Sequence, residues 1–247
     1  PSKSAHRPGE LPNIAGTAYD VSPGVRVSQN FQIKLATTTD VTGVVVGDNW
    51  NGSAFYSSAA VLTATLSGSF FQYTDSAFTA GTIFKDGWLY QARLLSTDQA
   101  GNLNDGIISS ATFRYDTSSP TASVDYPAAS GKYQGLSNFY GPKADVDPDL
   151  GDAAVSGSGV EKAYVAFANA NGDFWDGGTF SGYAAGTSWK LCSVFADTWT
   201  YTDAALTSYF AGLANPQYFR LYVRAVDYAG NSNRDTAQPS TGYREFT

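Results

Sequence analysis

The sequence contains the motif Asp-x-Ala-Gly-Asn twice, as DQAGN at residues 98–102 and as DYAGN at residues 227–231. Glycine tolerates the left-handed backbone of a tight reversal, and Asp and Asn side chains can bond to the backbone of a turn. The residues before each copy alternate between apolar and polar, which is typical of a half-buried β-strand. The motif therefore predicts a strand and a reversal at two places. The apolar positions are Tyr90, Ala92 and Leu94 in the first copy and Phe219, Leu221, Val223 and Ala225 in the second.

The two motif copies belong to a longer repeat. WNGSAF at residues 50–55 aligns with WDGGTF at residues 175–180 when the chain is shifted by 125 residues. The shift reaches 128 residues for Tyr-Thr-Asp and 130 residues where Phe113-Arg114 meets Tyr243-Arg244. A shift that drifts as loops lengthen is typical of duplicated domains, so we interpret the chain as one unit written twice. The other matches at 125 residues pair Leu11, Asn13, Gly16 and Asp20 with Leu136, Asn138, Gly141 and Asp145.

The WNGSAF and WDGGTF segments predict β-hairpins. Asn-Gly and Asp-Gly suit the two central positions of a type I′ turn, where positive φ is required at both. Strand alternation then places Trp50 with Phe55, and Trp175 with Phe180, on one face across each hairpin. These aromatic pairs could pack in a core or form a platform on which a sugar stacks. The same two interpretations stay open for Phe71, Tyr73, Trp199 and Tyr201 in the FQYTD and WTYTD segments.

The composition favours an all-β protein and excludes two classes of partner. Of the 247 residues, 25 are Gly and 10 are Pro, and aromatic residues reach 15%, which favours short strands joined by turns. The net charge of -7, without a basic run, excludes nucleic-acid binding, which depends on clustered Lys and Arg. The longest apolar stretches are too short for a membrane span.

The order of hairpin, strand, Asp-x-Ala-Gly-Asn and then FRYDTSSP at residues 113–120 resembles the bacterial immunoglobulin-like repeats that occur in tandem in large surface and secreted proteins. The resemblance covers essentially the whole chain. It implies two tandem Ig-like β-sandwich domains that act as a stalk, an adhesive module or a structural repeat. The partners would be neighbouring copies or flanking repeats of the same protein, and the location would be extracellular or on the cell surface. The core disulfide of antibody domains is missing.

The junction between the two domains is expected at DTSSP, residues 116–120, because proline cannot continue a strand ladder and paired serines resist burial. The domains are therefore residues 1–117 and 118–247. Residues 122–126 alternate and end at Pro127, so they are interpreted as the opening strand of the second domain. The matching place in the first copy falls at the start of the sequence, and the first domain is predicted to lack this strand.

An exposed strand edge attracts another strand. We therefore expect a neighbouring chain, or an upstream part of the same polypeptide, to supply the missing strand by β-addition and to build a filament. The alternatives are that residues 1–10 fill the edge locally or that a flanking repeat lies outside the sequence. The absence of Met and the proline at position 1 suggest a piece cut or matured from a longer protein.

The residues that usually carry catalysis are scarce. The single histidine, His6, lies in a polar tail, and the single cysteine, Cys192, has no partner and is expected to be an inert buried thiol. Most aspartates stand beside Gly, Asn, Ser or Pro, where carboxylates stabilise turns. We therefore predict a noncatalytic module. The alternatives are a carbohydrate-binding or enzyme-appended module that contacts surface glycans, and an aspartate-based glycosidase with two facing carboxylates in a cleft.

One acidic loop is a candidate calcium site. Asp145, Asp147, Asp149 and Asp152 concentrate four carboxylates in eight residues, and Ca²⁺ takes six to eight oxygen ligands from such loops. The pattern is not an EF-hand, because its glycine comes one place late and no Glu stands at the twelfth position. A solvated acidic loop is the other interpretation.

Overall fold

The structure is a computed structural model in which the chain divides into two compact units. The first unit runs to Ser118 and includes residues 157–158; the second comprises Ser119–Val146 and Gly159–Thr247. The sequence placed the boundary between residues 117 and 118. Only the backbone is described for residues 28–37, 79, 103 and 104. The described residues are 5–7, 9–11, 13–17, 28–37, 47–58, 60–80, 82–98, 100–104, 110–133, 135–146 and 157–247.

In its described residues the first unit consists of two sheets, antiparallel except at β1, and one short helix. Its elements are β1 (Ala5–His6), β2 (Asn13–Thr17), β3 (Ser28–Thr37), β4 (Asn49–Trp50), β5 (Phe55–Tyr56), β6 (Leu62–Thr63), β7 (Thr65–Ser67), β8 (Phe70–Thr74), α1 (Ser76–Ala80), β9 (Leu89–Thr97), β10 (Leu103–Asn104) and β11 (Ser110–Tyr115). The larger sheet has the order β1-β11-β9-β3-β4-β5, with β10 beside β9 and β6 beside β3, and only β1 joins it in parallel. The smaller sheet has the order β2-β8-β7.

The core of the first unit lies between these two sheets. Tyr90 of β9 and Phe113 of β11 stand opposite each other in the ladder, with ring centroids 5.7 Å apart. The buried ring of Phe71 enters the same cluster from the smaller sheet. The hydroxyl of Tyr90 accepts a hydrogen bond of 2.8 Å from the Lys85 N–H, so this buried polar atom is satisfied.

The second unit repeats the two-sheet plan. Its elements are β12 (Thr121–Ala122), β13 (Phe139–Ala144), β14 (Val160–Asn169), β15 (Phe174–Trp175), β16 (Phe180–Ser181), α2 (Ala185–Ser188), β17 (Lys190–Leu191), β18 (Ser193–Val194), β19 (Thr198–Tyr201), α3 (Ala204–Ala211), β20 (Phe219–Asp227) and β21 (Tyr243–Phe246). One sheet has the order β12-β13-β19-β18, and the other has the order β16-β15-β14-β20-β21, with β17 beside β14.

This strand order is that of an immunoglobulin-like sandwich, in which the first, second, fifth and fourth strands form one sheet and the others form the second. Phe139 of one sheet meets Phe167 of the other, with ring centroids 4.7 Å apart. The alternating residues Phe219, Leu221 and Val223 of β20 are buried in the same core. The prediction of an all-β fold with two tandem Ig-like sandwiches is therefore confirmed.

The Asp-x-Ala-Gly-Asn motifs form the predicted reversals. In the first, the Asp98 carboxylate accepts hydrogen bonds from the backbone N–H and the side-chain amide of Asn102, at 2.8 and 2.7 Å. Asp227 accepts the same pair of bonds from Asn231, at 2.8 and 2.9 Å. The glycine before each asparagine has positive φ, 87° and 94° respectively. The prediction is confirmed at both places.

The predicted type I′ turns are wrong. Trp50 pairs with Phe55, which leaves a loop of four residues instead of two. Asn51 does not have the positive φ that a type I′ turn requires; Gly52 does, at 96°. Asn51 closes the loop with its side chain instead, since its Oδ1 accepts from the N–H groups of Ser53 and Ala54, both at 2.9 Å. The second hairpin is built in the same way around Asp176.

The alignment of Phe113-Arg114 with Tyr243-Arg244 is also wrong. Phe113 pairs with Tyr90, whereas Phe246 pairs with Phe219, the residue that corresponds to Tyr90. Phe246 therefore takes the core position of Phe113, and Tyr243 is 42% exposed. The sheet register therefore places the two copies of the Phe/Tyr-Arg dipeptide at different positions.

Candidate functional site

The aromatic residues of the hairpins lie in the cores. Trp50 and Trp175 are 4% and 1% exposed, and each packs against the phenylalanine across its hairpin. Phe71 and Trp199 of the FQYTD and WTYTD segments are buried as well. None of these four rings offers a face on which a sugar could stack, so the core interpretation is correct for them.

The second Tyr-Thr-Asp segment ends in a hydrogen-bonded carboxylate that the sequence did not reveal. Asp203 caps α3, because its Oδ1 accepts from the N–H groups of Ala205 and Leu206 at 2.8 and 3.1 Å. Its Oδ2 accepts from Tyr201 Oη at 2.8 Å and from Trp175 Nε1 at 3.1 Å. Asp203 thus ties a helix end to the WDGGTF hairpin. An aspartate directly before an apolar segment is an N-cap signal that could have predicted this helix.

The electrostatics of this carboxylate follow from its contacts. Burial opposes the ionised form of Asp203, but the hydrogen bonds from Leu206, Trp175, Tyr201 and Ala205 outweigh it and lower the pKa below the ordinary value. Burial and the bond to Asp203 raise the pKa of Tyr201. Both groups therefore keep their usual charge at neutral pH, which suits a structural contact.

The four residues of the candidate calcium loop are only partly described. Asp145 follows β13 and is buried, and its Oδ2 accepts a hydrogen bond of 2.7 Å from the Gly159 N–H. A carboxylate oxygen of Asp145 lies within 4.8 Å of one of Asp227. Asp147, Asp149 and Asp152 lie outside the described residues. The calcium site stays a prediction.

His6 and Cys192 both lie in packed parts of the structure. His6 is part of β1, and its ring meets the Phe113 ring edge-on at 5.8 Å. Cys192 is buried in the second core, and burial raises the pKa of its thiol. A thiol that stays protonated is a poor nucleophile. The prediction of a buried thiol at Cys192 is confirmed.

The outer edge of β2 differs from its counterpart in the second unit. In that unit β12 pairs with β13. The segment after β12 also contacts the other sheet, since the Tyr133 N–H donates to the Thr247 carbonyl just after β21. In the first unit β1 pairs with β11. Residues near the N-terminus thus fill the edge of the larger sheet, but no described residue pairs with the outer side of β2.

The second unit has a cavity of about 770 Å³. It lies where the segment after α3 leads into β20, and the exposed ring of Tyr218 is part of its wall, with Asn215 and Gln217 beside it. Lys132 adds a positive charge to the rim. This cavity was not predicted from the sequence. Its only sequence signal is Asn-Pro at residues 215–216, a turn that follows the helix end.

No helix in the described part of the chain is long and apolar enough to cross a membrane. No protein-family model matches the chain. None of the curated proteins matches it.

Several solved structures are similar to the chain at low sequence identity. Fibronectin(III)-like modules of Clostridium thermocellum CbhA match with a TM-score of 0.36 and 11% identity, over 99% of this chain and 87% of that one. A 1.5-MDa bacterial ice-binding adhesin matches with a TM-score of 0.37 and 13% identity, over 93% of this chain and 57% of that one. Domains FN1-FN3 of chicken CNTN1 match with a TM-score of 0.38 and 14% identity, over 95% and 63%. The chain thus spans less than two thirds of the latter two.

Proposed function

We propose that the chain is a noncatalytic structural module of an extracellular or cell-surface bacterial protein. It serves either as a repeat of a stalk or adhesin or as a subunit of a filament that assembles by β-strand addition. The aspartates of the repeated motifs support this proposal, because the carboxylates of Asp98, Asp203 and Asp227 accept hydrogen bonds that stabilise two turns and a helix N-terminus.

The observation that carries the proposal is the outer edge of β2. Natural sheets protect such edges with charges, prolines, bulges or a covering strand. β2 has the sequence Asn-Ile-Ala-Gly-Thr and pairs with β8 at five consecutive positions without a bulge. It therefore has none of the residue devices that discourage strand pairing. The edge is suited to receive a strand from a neighbour.

Strand addition predicts association that depends on protein concentration. We expect light scattering to report growing mass as the chain is concentrated, and negative-stain electron microscopy to reveal strings of linked particles. Ala15→Lys, which places a charge at an exposed position of β2, should suppress both. A chain that stays monomeric at every concentration would contradict the filament form of the proposal.

The cavity beside Tyr218 favours glycan binding as a second candidate function. An exposed tyrosine ring with neighbouring amide side chains suits the apolar face and the hydroxyl groups of a sugar. If the cavity has this role, a glycan array should give saturable binding that Tyr218→Ala weakens about tenfold or more. Tyr228→Ala is the control, because Tyr228 is 50% exposed and lies outside the cavity. An array without saturable binding would eliminate this candidate.

A further inference from the structure

We infer that the outer edge of β2 accepts an extended segment with the side-chain pattern Ala-x-Val-x-Tyr, which is the pattern of residues 122–126. This inference rests on the proposed function, because strand addition is the assembly step that it specifies. It adds the chemistry of the incoming strand, which belongs to another polypeptide.

The second unit supplies the template for this contact. Residues 121–126 run antiparallel to β13. The Ser123 N–H donates to the Pro142 carbonyl at 3.1 Å, and the Asp125 N–H donates to the Tyr140 carbonyl at 3.0 Å. The Tyr140 N–H donates to the Tyr126 carbonyl at 3.1 Å. The backbone groups of residues 140 and 142 therefore face the covering strand.

The register of the first unit exposes the same groups. Gly16 pairs with Phe71 of β8, just as Gly141 pairs with Trp199 of β19. The residues on either side of Gly16, Ala15 and Thr17, therefore match residues 140 and 142. Since backbone groups alternate between the two sides of a strand, the N–H and C=O groups of Ala15 and Thr17 point away from β8. Both residues are exposed.

The two cores differ at the place that an incoming strand would cover. In the second unit Val124 is buried in the core, and Ala122 and Tyr126 pack against it. Phe139 of β13 is 0% exposed there, whereas Ile14, its match on β2, is only partly buried. An incoming strand with apolar side chains at every second position would complete the burial of Ile14. We therefore expect the incoming strand to have a small, a branched and an aromatic side chain at alternate positions, as in Ala-x-Val-x-Tyr.

One contact must change when the strand binds. In the second unit the strand crosses so close to Gly141 that an added Cβ would lie 2.0 Å from the Ser123 carbonyl oxygen. In the first unit the Phe71 ring lies over Gly16, 2.7 Å from the place of an added Cβ. Binding in the geometry of the second unit therefore turns this ring away, and the ring becomes a reporter of occupancy.

A labelled synthetic peptide with the sequence of residues 119–127 tests the inference against the full 247-residue chain. We expect saturable binding by fluorescence anisotropy. Amide shifts in NMR spectra should centre on Ala15 and Thr17, with a shift of the Phe71 ring signals. A peptide with Val124→Asp and Tyr126→Asp should bind about tenfold more weakly or worse, because it places charges at the two positions that pack against the core.

Two proline variants of the chain form a matched pair. Ala15→Pro removes the N–H that corresponds to that of Tyr140, and we expect it to weaken peptide binding about tenfold or more. Thr17→Pro places proline on the same edge, but Pro142 stands at the matching place in the second unit and still accepts a hydrogen bond from Ser123. Thr17→Pro should therefore keep binding within about twofold. If Ala15→Pro fails to fold, the comparison of the original peptide with the altered peptide on the unmodified chain still tests the inference.

The inference is overturned if the folded chain does not bind the peptide, if the altered peptide binds equally well, or if the shifts centre on β13. Its failure differs from failure of the proposed filament. If the chain binds the peptide but stays monomeric, the edge of β2 does accept a strand, and the proposed self-assembly is contradicted. If the chain forms linked particles but does not bind the peptide, it assembles through another surface. That result overturns the inference and leaves the proposed filament standing.

Discussion

Asp203→Ala is expected to lower the free energy of unfolding of the second unit by about 3–8 kcal/mol. Loss of a helix N-cap costs about 1–2 kcal/mol, and each buried polar group left without its partner costs about 1–3 kcal/mol. The variant removes the cap of α3 and the shared acceptor of Tyr201 and Trp175. Because domains are stable by only about 5–15 kcal/mol, this loss is a large fraction of the total.

Urea titration followed by amide hydrogen exchange measures the loss for each unit separately. Asp75→Ala is the matched control. Asp75 accepts from the Ala77 N–H and Tyr73 Oη, but in the described part of the chain Trp50 Nε1 has no hydrogen-bond partner. This control should therefore lose less, about 2–5 kcal/mol, because one polar group fewer is left without its acceptor. Equal losses in the two variants would mean that the tryptophan contact contributes nothing.

Acidification tests the same carboxylate. The folded pKa of Asp203 lies below its ordinary value, so its contribution is complete above the unfolded pKa and is lost as pH falls through the folded pKa. The second unit should therefore weaken below about pH 4, and Asp203→Ala should have a shallower dependence there.

Local signals predicted the repeated turns and strands well. The Asp-x-Ala-Gly-Asn reversals depend on residues within five positions of each other, and the strand alternation around Phe219 and Tyr90 depends on a period of two. Both are properties of the local chain. The hairpin turns failed because Asn-Gly and Asp-Gly are compatible with more than one loop length, and only the pairing of Trp50 with Phe55 fixes it.

The candidate sites depend on contacts between distant residues, which the sequence does not display. Trp175 and Asp203 are brought together by the sheet and the helix cap. The cavity beside Tyr218 combines residues near 133, 215 and 246. The comparison of the two copies led to the prediction that the first domain lacks its opening strand, and this stays a prediction. The sequence did not indicate that β1 would pair with β11.

Gly141 is the glycine over which the opening strand of the second unit passes. Gly141→Ala places a Cβ 2.0 Å from the Ser123 carbonyl oxygen and 3.0 Å from the Asp125 nitrogen. Both are backbone atoms, so the strand must move as a whole. We expect it to detach, which withdraws Val124 from the core and breaks the bond from Trp199 Nε1 to the Ser123 carbonyl. The loss should be about 3 kcal/mol, from the exposed valine and the lost hydrogen bond.

Amide exchange at Tyr140 reports this detachment, since its N–H donates to the Tyr126 carbonyl. We expect Tyr140 to exchange at least tenfold faster in Gly141→Ala, in line with a loss of about 1.4 kcal/mol or more. Gly16→Ala is the control, because its Cβ meets only the tip of the Phe71 ring and the first unit has no described strand over that glycine. Unchanged exchange at Tyr140 would mean that the strand tolerates the methyl group. Faster exchange at Tyr140, together with new binding of the residue 119–127 peptide at β13, would show that the substitution has opened the edge of β13. That edge would then be open in the same way as the edge of β2.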